Sequence, residues 1–262
     1  MTTVLIQYDD RTVPLFEQLM ARNQSYCMRH TYTYWRPTQE WVEHNKDTMS
    51  PYWMKVALVH HMMQQQGVAY VAWFDSDACV HAQERRIETL FQPDGPDFLI
   101  SEDAWSANVL NVGVFLLRVT DRSRALMDEW LACYPAHQWT HSVQPNQWMC
   151  TQQPQNEPCV WAGSAYEQGA FNERIVIQFP GAIQRFPVHV LDCSAPHPPF
   201  DTFSCHLISP GTNKYDNIQA YLNAQDSWFT CGAGAGTSIG VTVGITVGIL
   251  TLTLAVLYLN RT

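Results

Sequence analysis

The sequence predicts an α/β domain, and three observations predict it. Apolar runs of strand length alternate with stretches of helical periodicity, the order expected where helices connect the strands of one sheet. One run, Val68 to Phe74, is continuously apolar and ends on Asp75-Ser76-Asp77, which puts carboxylates at the C-terminal end of a strand. Third, 46% hydrophobic against 15% charged positions over 262 residues supplies a full core. That excludes a disordered tail or a disulfide-stapled miniprotein.

The elements follow in order. Residues 3 to 8 read as a buried first strand, and Pro14 to Gln24 as an amphipathic helix with Leu15, Phe16, Leu19 and Met20 on one side. Tyr26 to Tyr34 suits a second strand, Trp53 to Gln66 a helix closed by Gly67, and Val68 to Phe74 the strand already named. Asp97 to Ser101 and Val109 to Val119 supply further strands, and Asp121 to Tyr134 a helix carrying Leu126, Met127 and Trp130. From Pro135 to Ser164 periodicity is lost among Gln, Pro, Asn and Trp, so a long loop is expected, lying over the site. Ala165 to Arg174 reads as a short helix, Ile175 to Phe179 and Phe203 to Ile208 as strands, and Asn213 to Ala224 as a last amphipathic helix. No internal repeat is present.

Charge and cysteine usage narrow the function classes. A net charge of −9 with no Lys/Arg-rich run disfavours a nucleic-acid partner, because phosphate neutralisation needs clustered cations. The eight cysteines include no C-x-x-C pair, so neither a zinc ribbon nor a thioredoxin motif is written here.

The C-terminal stretch is different in kind. No charged residue occurs between Asp226 and Arg261, and 233–259 is almost wholly apolar or small, longer than the ~20 residues a helix needs to cross a bilayer. Gly232, Gly236, Gly240, Gly244 and Gly248 recur every fourth position and would line one helical stripe suited to close association with a second copy. The expected organisation is a folded domain over 1–225, a juxtamembrane linker over 226–232 and a membrane-spanning helix over 233–259. No secretory signal is visible at Met1, so tail-first insertion with the domain facing the cytosol is expected. The lumen of the endoplasmic reticulum or Golgi is the alternative, and the sequon Asn23-Gln24-Ser25 would report on it if glycosylated.

In open α/β sheets ligands bind beyond the carboxyl ends of strands, where Asp75 and Asp77 fall. Two carboxylates one residue apart on a turn can share one hard divalent cation. An aspartyl phosphatase also places such a pair after an apolar strand, with the first Asp as nucleophile. There a Thr or Val usually follows two residues after the second Asp, where this chain has Cys79. Asp9 and Gln7 stand at the end of the first strand, where the family resemblance set out below implies contact with the donor's nucleotide. Trp139, Trp148 and Trp161 lie in the polar stretch, where rings are less needed by the core, and the resemblance set out below makes them candidates to stack on an acceptor sugar.

Five segments together carry a resemblance. They are Asn23 to Tyr32, Tyr52-Trp53-Met54-Lys55, Val71 to Ala78 with its D-x-D, Leu110-Asn111-Val112-Gly113-Val114-Phe115-Leu116-Leu117-Arg118, and Tyr166-Glu167-Gln168-Gly169-Ala170-Phe171. In this order they resemble the galactosyl-, mannosyl- and xylosyltransferase family of GT-A, D-x-D-bearing nucleotide-diphospho-sugar transferases, over residues 3 to about 215. The resemblance implies a Rossmann-like GT-A fold and a retaining, metal-dependent transfer of a hexose or pentose. The donor would be a nucleoside-diphosphate sugar, and the acceptor a glycan, glycoprotein or glycolipid. It implies Mn2+ or another divalent cation on Asp75, Asp77 and His206. Lys55, Ser76, Asn111 and Gly113 would contact the donor, and Glu167 and Gln168 would lie near the anomeric carbon. The family's late motif runs His-x-x-Gly-x-x-Lys, whereas two residues are inserted between His206, Gly211 and Lys214, which leaves the latter two as looser donor contacts. A relative that keeps the fold but only binds glycans or assembles in the membrane is the alternative.

Overall fold

The computed structural model describes all residues except 12, 39, 43–47, 107, 143–146, 153–154, 156, 209–212 and 233–262, and no side chains over 226–232. Residues 1–224 form one unit and 225–262 a second, of which only the backbone at the end of a helix is described beyond Gln225. Among the described residues no helix is long and apolar enough to cross a membrane. The anchor and glycine stripe expected over 233–259 lie outside them.

The central sheet is mixed. Its strands are β1 (Thr2–Gln7), β2 (Thr33–Trp35), β3 (Val68–Phe74), β5 (Phe98–Glu102), β6 (Leu110–Arg118) and β10 (Ile183–Phe186), in the spatial order β10-β5-β6-β3-β1-β2. β1 lies parallel to both β2 and β3, and β10 parallel to β5, whereas β6 runs antiparallel to β3 and β5 on either side. Side chains of a strand alternate between faces, and the core divides accordingly. Val4, Ile6, Val71, Trp73, Phe115 and Leu117 join one cluster with Trp53, Leu58 and Trp130. Leu5, Ala72, Phe74, Val114 and Leu116 join another with Tyr26 and Cys27. Helices α2 (Pro51–Met63) and α3 (Asp121–Ala132) therefore cover one face, and α1 (Pro14–His30) the other.

Two smaller sheets flank this one. β4 (Ala78–Val80) pairs antiparallel with β12 (Ser204–His206), which lies parallel to β11 (Asp192–Cys193). β7 (Trp139–Ser142), β8 (Gln147–Gln152) and β9 (Glu157–Pro158) make the other, and a disulfide joins Cys150 to Cys159. Helix α4 (Glu167–Ala170) runs into a wide π turn at Phe171–Ile175 and then α5 (Val176–Gln178); α6 is Lys214–Gly232.

Three expectations are corrected. The first helix does not stop at Gln24 but continues to His30, so of the segment read as a strand only Thr33 and Tyr34 are extended, in β2. Phe16, Leu19, Met20, Asn23, Tyr26, Cys27 and His30 are buried at helical spacing, and the helix ends where Thr31 turns left-handed at φ 59°. Ile175 to Phe179 is helical rather than extended, and the strand that pairs with β5 begins at Ile183. The polar stretch from Pro135 to Ser164 contains the third sheet and its disulfide rather than an irregular loop.

Candidate metal centre

The site is assembled where β3 ends. Gly113 of β6 accepts the Asp75 amide through its carbonyl at 2.8 Å, and Ala78 donates back to the Asp75 carbonyl at 3.0 Å, closing the turn between β3 and β4. A buried polar clamp fixes that turn from below. Gln7 donates its amide nitrogen to the carbonyls of Asp75 and Ala78, both at 3.1 Å. Its oxygen accepts from Asn23 at 2.8 Å and from the Tyr34 hydroxyl at 3.1 Å. Asn23 in turn donates to the Ala78 carbonyl and accepts from the Val80 amide. Both side chains are fully buried, and each polar atom has a partner, as burial demands.

Three side chains converge on one point. His206 Nε2 lies 3.3 Å from Asp77 Oδ1 and 3.9 Å from Asp75 Oδ2, and one donor atom from each residue falls within 4.8 Å of the others. His206 reaches this place because β12 pairs with β4, setting His206 opposite Ala78. Gly113 makes room for it: a Cβ there would stand 1.9 Å from the imidazole. On the far side of the ring, Nδ1 is 4.0 Å from Asp192 Oδ2, while Asp192 Oδ1 accepts from the Ser204 hydroxyl at 2.9 Å. Two carboxylates and an imidazole suit a divalent cation that accepts hard oxygen and borderline nitrogen donors.

Cations of the chain surround the acids. Lys55 donates to Asp75, 2.8 Å from Oδ1, and sits 3.2 Å from Glu167 Oε1 and 3.4 Å from the Val112 carbonyl. The Trp73 indole donates to Asp75 Oδ1 at 2.7 Å. Lys214, at the start of α6, approaches Asp77 Oδ2 at 3.3 Å. Burial alone would raise the Asp77 carboxyl, but its bond to His206 and the charges of His206 and Lys214 hold it well below the usual carboxylate range. Burial likewise opposes the charge on His206, and Asp77, Asp192 and Asp75 together push it up to about 9. For Glu167 burial prevails over Lys55 and the carboxyl is raised.

Most residues expected at the site are brought together, with three changes of role. Asp75, Ser76, Asp77, Lys55, Asn111, Gly113, Glu167, His206 and Lys214 cluster at this end of the sheet. Gln7 is sealed beneath the turn and cannot reach a nucleotide. Lys55 is buried with its ammonium engaged by protein acceptors, so it orients Asp75 and Glu167. Gln168 uses its amide oxygen on the Val112 amide at 3.2 Å, tying α4 to β6. Asn111 accepts from the Gly113 amide at 2.8 Å and donates to Asp103 at 3.0 Å, lining a small cleft with Trp105, Asp192 and His206. Asp9 receives two guanidinium hydrogen bonds from Arg11. Gly211 lies outside the described residues. The sequon asparagine, Asn23, has both amide functions buried in the clamp and offers no acceptor for a glycan in the folded chain.

Sequence reasoning missed Arg11 and Asp192. The Arg11 guanidinium is 53% exposed yet close enough to Asp9, Asp10 and Asp77 that their charges hold its proton more tightly, Asp9 most of all. Its sequence signal was a lone cation directly after Asp9-Asp10 at a strand's end. Asp192 had only the oddity of an acid between Leu191 and Cys193 in an apolar run.

No protein-family model and no curated protein matches the chain. Among solved structures it superimposes on a glycosyltransferase involved in the glycosylation of the major capsid of PBCV-1, with a TM-score of 0.60 and 15% identity, over 84% of this chain and 98% of that one. The fold is a glycosyltransferase fold. Its central sheet resembles those of GT-A glycosyltransferases, as the sequence led one to expect. Lower TM-scores are found with the glycosyltransferase GlyE of Streptococcus pneumoniae TIGR4 (0.45, 12% identity, 88% of this chain and 64% of that one) and with mouse xyloside xylosyltransferase 1 (0.39, 12% identity, 73% and 86%).

Proposed function

We propose that the chain transfers a hexose or pentose from a nucleoside-diphosphate sugar to a glycan or lipid-linked acceptor. The observation that carries this reading is the convergence of Asp75, Asp77 and His206 at the carboxyl end of β3 within that fold. These three residues would hold a divalent cation, Mn2+ or another, and such a cation when bound supplies Lewis-acid stabilisation of negative charge on the diphosphate. Arg11 and Lys214 add fixed positive charge for the same anion, and Asp9 aligns Arg11. Ser76 and Asn111 border the space for the sugar, while the room left at Gly113 is taken by His206 rather than by the donor.

Glu167, held by Lys55 beside Asp75, stabilises positive charge developing at the anomeric carbon. In the retaining sequence we propose, the acceptor hydroxyl oxygen bonds to the anomeric carbon on the face from which the diphosphate departs. The bond from that carbon to the diphosphate oxygen breaks, and the hydroxyl proton passes to the leaving diphosphate oxygen. No separate general base is then required.

The test is hydrolysis and transfer of uridine- and guanosine-diphosphate sugars by the full chain with manganese. Turnover abolished by chelator and by Asp77→Asn supports the reading; absence of both turnover and binding for every donor sinks it.

We also propose that residues 233–259 anchor the chain in a membrane with the folded domain on the lumenal side. The Cys150–Cys159 bridge supports the lumenal alternative over the cytosolic one, because disulfides persist in oxidising compartments. Protease digestion of sealed vesicles checks it: a protected domain agrees, a digested one overturns it. Asn23 cannot serve as the reporter, being buried.

A further inference from the structure

Trp161 is the most exposed tryptophan among the described residues, at 67%. It is nevertheless firmly mounted. Its ring centroid lies 5.3 Å from that of Tyr52 and 5.0 Å from that of Tyr166, and those two rings are 5.2 Å apart, all three pairs edge to face. Trp139 packs beneath, buried, 5.8 Å from Tyr52 and 5.1 Å from Tyr166. The indoles of Trp139 and Trp53 both donate to the Ala165 carbonyl, fixing the floor.

The backbone that presents Trp161 is equally constrained. Ala162 adopts the left-handed region at φ 56°, the Gly163 amide donates to the Val160 carbonyl at 3.1 Å, and Tyr166 donates to the Gly163 carbonyl at 2.8 Å. This turn rests directly on α4, where a Cβ at Gly169 would stand 2.1 Å from the Gly163 carbonyl oxygen. Left-handed backbone at a non-glycine residue carries a conformational cost that the surrounding contacts must offset.

The rings adjoin the metal centre through two elements. Tyr52 and Lys55 stand three residues apart on α2 and so share a face, and Tyr166 directly precedes Glu167. The Tyr52 hydroxyl, raised first by burial and then by Tyr166, also feels the charges of Glu167, Arg11 and Asp10. The surface thus presents an aromatic face flanked by the phenols of Tyr52 and Tyr166, with Glu167 buried behind them.

That combination selects a neutral polyol. Aromatic faces are electron-rich and attract the weakly positive C–H face of a pyranose ring, while phenol groups exchange hydrogen bonds with its hydroxyls. An anionic membrane surface would instead meet a chain of net charge −9. We infer that Trp161, with Tyr52 and Tyr166, forms the subsite that stacks on a sugar ring of the acceptor. This inference rests on the transferase reading above. Of the three tryptophans expected to stack on an acceptor, it selects Trp161: Trp139 is buried in the floor, and Trp148 stacks on His141.

The experiment is saturation-transfer difference NMR on the full chain with the methyl glycosides of glucose, galactose, mannose and xylose, alongside hydrolysis of nucleotide sugars with manganese. Saturation of the ring C–H protons of at least one glycoside, lost in Trp161→Ala and partly restored in Trp161→Phe, is expected. In transfer assays Trp161→Ala should raise the acceptor KM about tenfold with kcat little changed. Ile177→Ser, which removes an exposed apolar side chain elsewhere, should leave both readouts unchanged. Equal saturation in the native chain and Trp161→Ala overturns the subsite, as does donor hydrolysis without saturation of any glycoside. Binding to phosphatidylcholine vesicles that Trp161→Ala abolishes would overturn it in favour of a membrane surface. Trp161-dependent saturation without any donor turnover or binding would instead remove the transferase reading and leave a glycan-binding platform.

Discussion

The two small sheets that flank the central one are held by opposite means. β11-β12-β4 is buried throughout, with every residue of β4 and β12 in the interior, and the Gln7–Asn23 clamp satisfies the backbone at its join with β3. β7-β8-β9 is mostly half-exposed or exposed and has a covalent bridge instead. The first sheet delivers His206 to the two aspartates. The second precedes the Trp161 turn, and its Trp139 forms part of the floor beneath the aromatic platform. The contrast separates two requirements: the proposed ligand set must be held by packing that tolerates no slack, whereas the proposed stacking surface needs only to be kept from unravelling.

The largest effect should come from the ligand set itself. Asp77→Asn should weaken manganese binding by about 100-fold or more, measured by titration calorimetry, since removing even an outer-sphere partner costs about 10- to 100-fold. Next is the space reserved for His206. Gly113→Ala places a methyl group where the imidazole stands and should cost about 1–3 kcal/mol in urea unfolding while lowering metal affinity. Were it neutral in both readouts, the buried sheet would have more slack than its packing implies.

Asn23→Ala then tests the clamp. It leaves the Val80 amide and the Gln7 oxygen short of a partner, with an expected loss of about 1–3 kcal/mol and faster hydrogen exchange at Val80. Reduction of Cys150–Cys159, or Cys159→Ser, should act elsewhere: exchange should rise across β8 and β9 and stay unchanged in β4 and β12. Exchange rising in both sheets together would erase the comparison.

The smallest effect concerns the central sheet that both share. Asp97 accepts from Arg118, Arg122 and Thr120. Burial opposes its charge, but these bonds prevail and its pKa falls below 3.8. A depressed folded-state pKa contributes stability that is fully present above the unfolded value and lost as pH falls through the folded one. Tm should therefore decline below about pH 4, and less steeply in Asp97→Asn, as followed by circular dichroism.

The strands of the central sheet were legible because β1, β3, β5 and β6 are apolar runs whose burial needs no distant partner to be guessed. The end of α1 was not, because Tyr26, Cys27 and Tyr32 favour strands in isolation and only their burial at helical spacing shows otherwise. Ile175 to Phe179 is the converse case: a short apolar run fits either period, and the π turn before it decided. At the site, Asp75 and Asp77 were readable from their place after an apolar strand, whereas His206 was reached only through the family resemblance. Gln7 and Asn23 were misassigned because a buried amide looks in sequence like an exposed one. Its partners lie 68, 71 and 55 residues away, and no local pattern announces them.

Those separations carry a consequence for biogenesis. Asp77 and Lys214 are 137 residues apart, and His206 is synthesised long after both aspartates. An unfinished chain holds the aspartates without the imidazole, so it has no site with which to sequester a cation. Cation capture by the proposed site would then gauge folding: it would stabilise only molecules in which β12 has already paired with β4, and products that stop before His206 would gain nothing from it.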